Sequence, residues 1–288
     1  MNSPFPKSAS AAGEGRVVAR LLPHNISALE SIAYQYPLKL ISPTTKAGQK
    51  SVLVFFLSYG GGLVGGDQVD LVVEIRPKAR LSIVTQGHTK IFKPTAAGTL
   101  TRQNLRADIR EGGALCLLPD PVQPFDGSRA EQTQIFKLTG NASLCLLDWV
   151  THGRSARGEN WGLAQWTGRN EIWMTGQAVG FTDRLLVRDT VILDGSPSAA
   201  QPFPLRDSMH GHAIFGTLLL RGPLTKTLGD FFLSEFAALP RIGARDFRTA
   251  AEKEEAVGHL SALEQWRDRK STRLNSSHSG ESRMPSSA

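Results

Sequence analysis

The side chains best suited to chemistry gather in short polar stretches between apolar runs. His88, in Thr85-Gln-Gly-His-Thr-Lys90, has the type for a metal ligand or a general base, but no second His follows at ligand spacing. His210-Gly-His212 would place two imidazoles on one face of a strand, where they could chelate a divalent ion; Met209 and Gly211 point instead to a loop. Cys116 and Cys145 are the only cysteines, each inside an apolar run. Two buried free thiols is the plain reading. A soft-metal pair and a disulfide are the sharper ones, and neither has the support of C-x-x-C spacing. Prolines hold Pro119-Asp-Pro-Val-Gln-Pro-Phe-Asp-Gly-Ser-Arg129 rigid and non-helical, so it reads either as a turn with Asp caps or as a surface loop presenting Asp120, Asp126 and Arg129. Leu147-Asp-Trp-Val-Thr-His-Gly-Arg154, with Gly158-Glu-Asn-Trp161, is a further polar and aromatic exit from a strand. Trp149 and Trp161 suit an interface or a core. Neither a G-x-S-x-G nucleophile motif nor a clear carboxylate dyad is present.

These stretches are positioned by a chain of short strands and glycine turns. Ser58-Tyr-Gly-Gly-Gly-Leu-Val-Gly-Gly-Asp67 sits between the apolar run Val52–Leu57 and the alternating run Val69–Ile75. Gly60-x-Gly62-x-x-Gly65 formally satisfies the dinucleotide fingerprint, yet that fingerprint needs a helix next, and a strand pattern follows instead. Asp67 would also repel a phosphate. The stretch therefore reads as a strand-to-strand bend with close backbone packing.

Further strands are expected at Arg16–Leu22, Leu38–Ile41, Leu81–Gln86, Lys90–Lys93, Leu100–Ile109, Trp161–Trp166, Glu171–Thr175, Gly180–Val187 and Val191–Leu193. Three segments resemble one another: Ala79–Thr85, Gly113–Pro119 and Ala142–Asp148, each a small residue, an apolar strand and a polar exit. They fit either stacked rungs of a repeat or three strands of a sandwich. Helical rhythm enters only late. Leu224–Leu239 carries Leu228, Phe231, Phe232 and Phe236 at helical spacing, and Asp246–Arg269 carries a stripe ending at Trp266.

The chain has 288 residues, is 40% hydrophobic and has a net charge of +7. That is enough for one large domain or two smaller ones. No basic stripe with interleaved aromatics appears, so nucleic acid is not an expected partner. No apolar stretch approaches the ~18 residues of a membrane span. The N-terminus lacks an apolar signal core. A cytoplasmic protein is expected. Residues 1–15 read as a disordered extension. The tail Lys270–Ala288 differs in composition from everything before it and reads as translated adapter DNA, a non-native segment from which no function is taken.

Four motifs, in order, carry a resemblance: Gly60-Gly-Gly-Leu-Val-Gly-Gly-Asp67, Thr85-Gln-Gly-x-Thr-Lys90, Pro119-Asp-Pro-Val-Gln-Pro-Phe125, and Leu147-Asp-Trp-Val-Thr-x-Gly-Arg154 followed by Gly158-Glu-x-Trp161. Over roughly Arg16 to Arg267 the chain resembles the urease accessory protein D family (UreD, also UreH). The N-terminal extension and the Phe231–Asp246 stretch look more like fungal members. The resemblance implies a mainly β, β-helix-like stacked-strand scaffold over 16–269, with two C-terminal helices within about 224–269. It implies a non-enzymatic protein that binds apo-urease and the helical accessory protein F, which recruits the GTPase accessory protein G. It implies no permanently bound cofactor, but nickel in transit to urease. Combined with the need for ligands that bind and release Ni²⁺, it makes Asp67, Thr85, His88, Asp148 and Glu159 the expected nickel route. Asp120, Asp126, Arg129, Trp149, Phe231, Phe236 and Trp266 become the expected partner contacts. The alternative from another class is a β-solenoid carbohydrate-active enzyme using Asp120, Asp126 or Glu159.

Overall fold

The computed structural model describes residues 11–44, 48–96, 98–176, 182–195 and 203–238. The chain divides into two compact units, 1–231 and 232–288. In the first, strands wind into a coil with parallel stacking. The chain enters through β1 (Glu14–Leu22), β2 (Ile26–Tyr34) and β3 (Leu38–Ile41). The first full coil is β4 (Val52–Ser58), β5 (Gly62–Leu63) and β6 (Gln68–Ile75); the second is β7 (Arg80–Val84), β8 (Thr89–Ile91) and β9 (Thr101–Ile109). The third is β10 (Ala114–Leu118), β11 (Val122–Pro124) and β12 (Arg129–Thr139), and the last is β13 (Ser143–Thr151) and β14 (Gln165–Thr175). β15 (Arg184–Asp194), α1 (Leu205–Ser208), β16 (Ile214–Arg221) and α2 (Lys226–Ala238) follow. Each of the first three coils thus contributes to three parallel stacks, and the last coil to two of them: β4-β7-β10-β13, β5-β8-β11, and β6-β9-β12-β14.

The three look-alike segments are stacked rungs. Leu81 faces Leu115, and Leu115 faces Leu144, across adjacent parallel strands. All three leucines are buried, as are Ile83, Leu117 and Leu146 one inward position further on. A strand that buries alternate residues needs a neighbour above and below to exclude water, and the repeat supplies both. The coils also turn alike. Ala79, Gly113 and Ala142 donate to the carbonyls of Arg76, Arg110 and Thr139 at 3.1, 2.8 and 3.1 Å, and Pro77 and the left-handed Lys78 and Gly112 supply type II turn chemistry in the first two.

Antiparallel strands close both ends of the stack. β3 lies along β4, β2 along β1, β15 along β14, and β16 along β13. This blunts the edges that a parallel stack would otherwise leave open.

Several sequence expectations change. β1 begins at Glu14, so the extension does not reach residue 15, and residues 1–10 lie outside the described residues. The turn-rich segment before Leu38 contains the strand β2. Trp161–Trp166 is mostly loop, since Trp161 has a left-handed φ of 56° and β14 starts at Gln165. The two late strands expected between 180 and 193 are one strand, β15. β12, an 11-residue strand, was not expected at all. The Leu224–Leu239 helix is α2 after a 3₁₀ turn at Pro223–Thr225, and a four-residue helix, α1, precedes it. The helix expected at 246–269, with Trp266, and the tail 270–288 lie outside the described residues.

Candidate functional site

The four motifs are the corners and ends of the coils. Between β4 and β5 the chain turns through Gly60 and Gly61, whose φ values of 71° and 72° are left-handed. Gly62 and Gly65 are glycines for a different reason. A Cβ on Gly62 would lie 2.5 Å from the Phe92 ring and 2.7 Å from the Lys90 carbonyl oxygen, and one on Gly65 2.6 Å from Pro94. The next coil packs against this backbone. A strand, β6, follows where a dinucleotide site would need a helix. Asp67 closes the corner: its carboxylate accepts the Val64 N–H at 2.9 Å, and its own N–H donates to the Val64 carbonyl at 3.0 Å.

Thr85 and Asp120 tie the next two corners together. The Thr85 hydroxyl donates to Asp120 Oδ2 at 3.1 Å and accepts the Asp120 N–H at 2.6 Å; the Gly87 N–H donates to the same carboxylate oxygen at 2.7 Å. His88 is exposed beside them, on a groove shared with Lys39, Tyr59 and Lys90. Glu159 folds back on its own loop. It accepts the Arg154 N–H at 2.8 Å and the Arg154 guanidinium, which stacks 3.8 Å over the Phe125 ring. Burial alone would raise the Glu159 carboxyl, but the Arg154 hydrogen bonds outweigh it and hold the group below the usual carboxylate range. Trp161 locks the same loop, donating Nε1–H to the His212 carbonyl at 2.8 Å. His210, at φ 48°, lies in the turn after α1, so the two histidines do not share a strand face.

Asp148 is different in kind. It points inward from β13, in phase with Leu144, Leu146 and Val150. Gln132 Nε2 donates to its Oδ1 and Asn170 Nδ2 to its Oδ2, both at 2.7 Å. Gln132 also accepts from Gln103 at 3.4 Å. Gln132, Gln134 and Asn170 are only 3, 5 and 1% exposed, and the first two occupy inward positions of β12 between Ala130 and Phe136. Burial holds the Asp148 carboxyl above the usual range; the two amide donors oppose this, and the neighbouring Asp189 carboxylate adds to it. Asn170 Oδ1 and Asp189 Oδ2 are buried with no hydrogen-bond partner among the described residues. A cavity of about 20 Å³ lies in this interior, lined by Thr85, Asp120, Gln103, Gln132, Gln134 and Asp148 among others. Asp148 and Trp149 also line a second cavity, of about 10 Å³, with Trp166, Gly168, Phe215 and Thr217.

The five residues expected along a nickel route therefore separate. Thr85 and Asp148 meet at one interior cavity, whereas Asp67, His88 and Glu159 do not line it. Of the expected partner contacts, Asp126 and Arg129 are exposed, and Arg129 donates to Gln165 at 2.8 Å. Trp149 donates to the Pro119 carbonyl at 2.8 Å, and Asp120 serves the Thr85 corner. Phe231 and Phe236 are exposed on α2. Among the described residues, no group of three or more His, Cys, Asp or Glu is placed to hold a metal ion. The reading missed Gln103, Gln132, Gln134, Asn170 and Asp189. Their signal was polar residues at the apolar phase of a strand; for Gln132 and Gln134 it is legible only once β12 is recognised.

Fold and site together define a parallel β-coil with a polar seam running from its second coil to its last. Residues 11–269 match the family described as UreD urease accessory protein, and the chain belongs to that family. It is 36% identical over 211 residues to an "Uncharacterized urease accessory protein ureD-like" of Schizosaccharomyces pombe, covering 73% of this chain and 71% of that one. It is 35% identical to "Urease accessory protein 4" of Cryptococcus neoformans (76% and 73% covered) and 30% identical to "Urease accessory protein D" of Oryza sativa subsp. indica (85% and 76%).

Proposed function

We propose that this chain is a non-catalytic urease maturation factor, a scaffold that helps pass nickel into apo-urease. The observation that carries the reading is Asp148: an inward carboxylate lining two cavities, held by the amide N–H groups of Gln132 and Asn170, beside the buried and unpartnered oxygens of Asn170 and Asp189. Such oxygens suit a divalent ion in transit, because they bind without the affinity that thiolates would add. The route runs from the Thr85–Asp120 corner past Gln132 to Asp148, Asn170 and Asp189. Asp67 and Glu159 are structural at their corners.

The partners are apo-urease and the accessory proteins F and G, met in the cytoplasm. Helix α2, with Leu228, Phe231, Leu233 and Phe236 exposed, is the surface for the helical accessory protein F. Asp126 and Arg129 stay available to urease. Among the described residues, no helix is long and apolar enough to cross a membrane. The carbohydrate-enzyme alternative gains no support from the site: Asp120 serves the Thr85 corner and Glu159 the Arg154 clasp.

The test is reconstituted urease activation with Asp148→Asn. The nickel content of urease is expected to fall about tenfold or more, a scale set by losses of ligand-supporting groups. Co-purification with urease and accessory protein F is expected to persist. Normal nickel loading by the variant would overturn the route. Failure to co-purify wild-type chain with urease would overturn the scaffold reading itself.

A further inference from the structure

Cys116 and Cys145 take no part in the seam, yet the fold brings them together. They lie 29 residues apart in sequence and face each other in register on the adjacent parallel strands β10 and β13. Adjacent strands stand roughly 4.8 Å apart. Leu115, Leu117, Leu144 and Leu146 take the inward positions, so both thiols leave the outer face of the same wall. Both are free and half-buried. Ser82 continues the row on β7, its hydroxyl 2.9 Å from that of Ser51. Two thiols at one rung spacing, side by side and partly open to solvent, form a chelating pair.

We propose that Cys116 and Cys145 form a dithiol site for a soft, two-coordinate cation, with Cu(I) as the ion it selects. Thiolate ligands favour Cu(I) among the physiological metals. Zn²⁺ would ask for four ligands, and no group of three or more His, Cys, Asp or Glu gathers among the described residues. A disulfide needs a narrow Cβ and dihedral geometry, and both cysteines are free. On binding, two S–Cu bonds form, both S–H bonds break, their protons go to solvent, and no electron is transferred. The seam around Asp148 offers oxygen to a harder ion on the inside of the wall. The thiols offer sulfur to a softer one on the outside.

The experiment titrates the full, reduced chain anaerobically with Cu(I) against a chromophoric Cu(I) chelator. One Cu(I) per chain is expected. Cys116→Ser and Cys145→Ser should each weaken binding by more than about 100-fold, beyond what outer-shell changes produce. Equal binding by wild type and either variant would overturn the proposal, as would tighter binding of Zn²⁺ than of Cu(I). A second arm needs no variant. Phenylarsine oxide, which bridges paired thiols, should add once to the native wild-type chain and protect both cysteines. A native chain whose two thiols react with a monofunctional maleimide but form no arsenical bridge would also overturn it.

Discussion

The two ends of the same rungs behave oppositely. Near the turns, Leu81, Leu115 and Leu144 stack in register against inward residues such as Phe136 and Leu138, and every one is buried. Toward the far corners the same strands present Thr85, Pro119 and Asp148, and the opposing strands present Gln103, Gln132, Gln134 and Asn170. Backbone pairing is identical in kind at both ends. Only the inward side chains differ. The apolar end supplies stability through buried area, while the polar end forgoes that area and must satisfy each group by hydrogen bonds. The polarity also rises from coil to coil: the row Val69, Gln103, Gln132 begins apolar on β6 and turns polar on β9 and β12. Under the proposed nickel role, this polar row would form the inner wall of the route.

The sharpest break of the comparison is at the apolar end. Leu115→Ala removes a fully buried side chain that packs against a rung on each side, and it should cost about 2–5 kcal/mol, since the stacked leucines cannot collapse into the gap. Chemical denaturation with circular dichroism reads this directly. A loss below about 1 kcal/mol would mean that the rungs are not mutually dependent.

The repeat was legible because leucines at 81, 115 and 144 share a pattern of small residue, apolar strand and polar exit, and stacking is the simplest way to bury such a face. The bend at Gly60–Gly66 was legible because the alternating Val69–Ile75 run follows it directly. The seam was not. Gln132 and Gln134 lie in Arg129–Thr139, where charged and amide residues hide the alternation of Ala130, Phe136 and Leu138. Glu159 and Asp148 look alike in sequence, both acidic and both beside a Trp motif. Only tertiary structure gives one an arginine five residues away and the other two amides from neighbouring strands. β2 was hidden because its alternation is weak on a mostly exposed strand.

A smaller effect separates two kinds of glycine in one bend. Gly62→Ala places a methyl against the Lys90 carbonyl oxygen and the Phe92 ring, and the carbonyl belongs to a paired strand that cannot yield. A loss of about 1–3 kcal/mol is expected from overpacking. Gly60→Ala meets nothing within 4 Å, so only its left-handed φ of 71° is strained, at about 1–2 kcal/mol. If Gly60→Ala proves the worse of the two in thermal unfolding, the corner is set by backbone strain and not by the close approach of the next coil.

The smallest stability change, with the most particular pH dependence, belongs to Asp148. Its carboxyl titrates above the ordinary range in the folded chain, first because it is buried. The folded state therefore holds this proton more tightly than the unfolded state, whose carboxyl titrates near 3.9. At pH 7 the group is charged in the unfolded chain and penalised in the folded one, so it subtracts from stability. As pH falls through the raised folded value the penalty is relieved, and below the unfolded value none remains. Asp148→Asn removes the charge and keeps an oxygen for Asn170. Its stability should stay within about 1 kcal/mol of wild type at pH 7, on the favourable side. That advantage should shrink as pH falls, because the folded wild-type carboxyl takes up its proton at a higher pH than the unfolded one does. Urea denaturation of both proteins between pH 7 and pH 4 tests this. If the wild type instead gains on the variant as the pH rises, the charged carboxylate is being stabilised by its surroundings. The polar end of the rungs would then be built to hold a permanent charge, not to receive a passing cation.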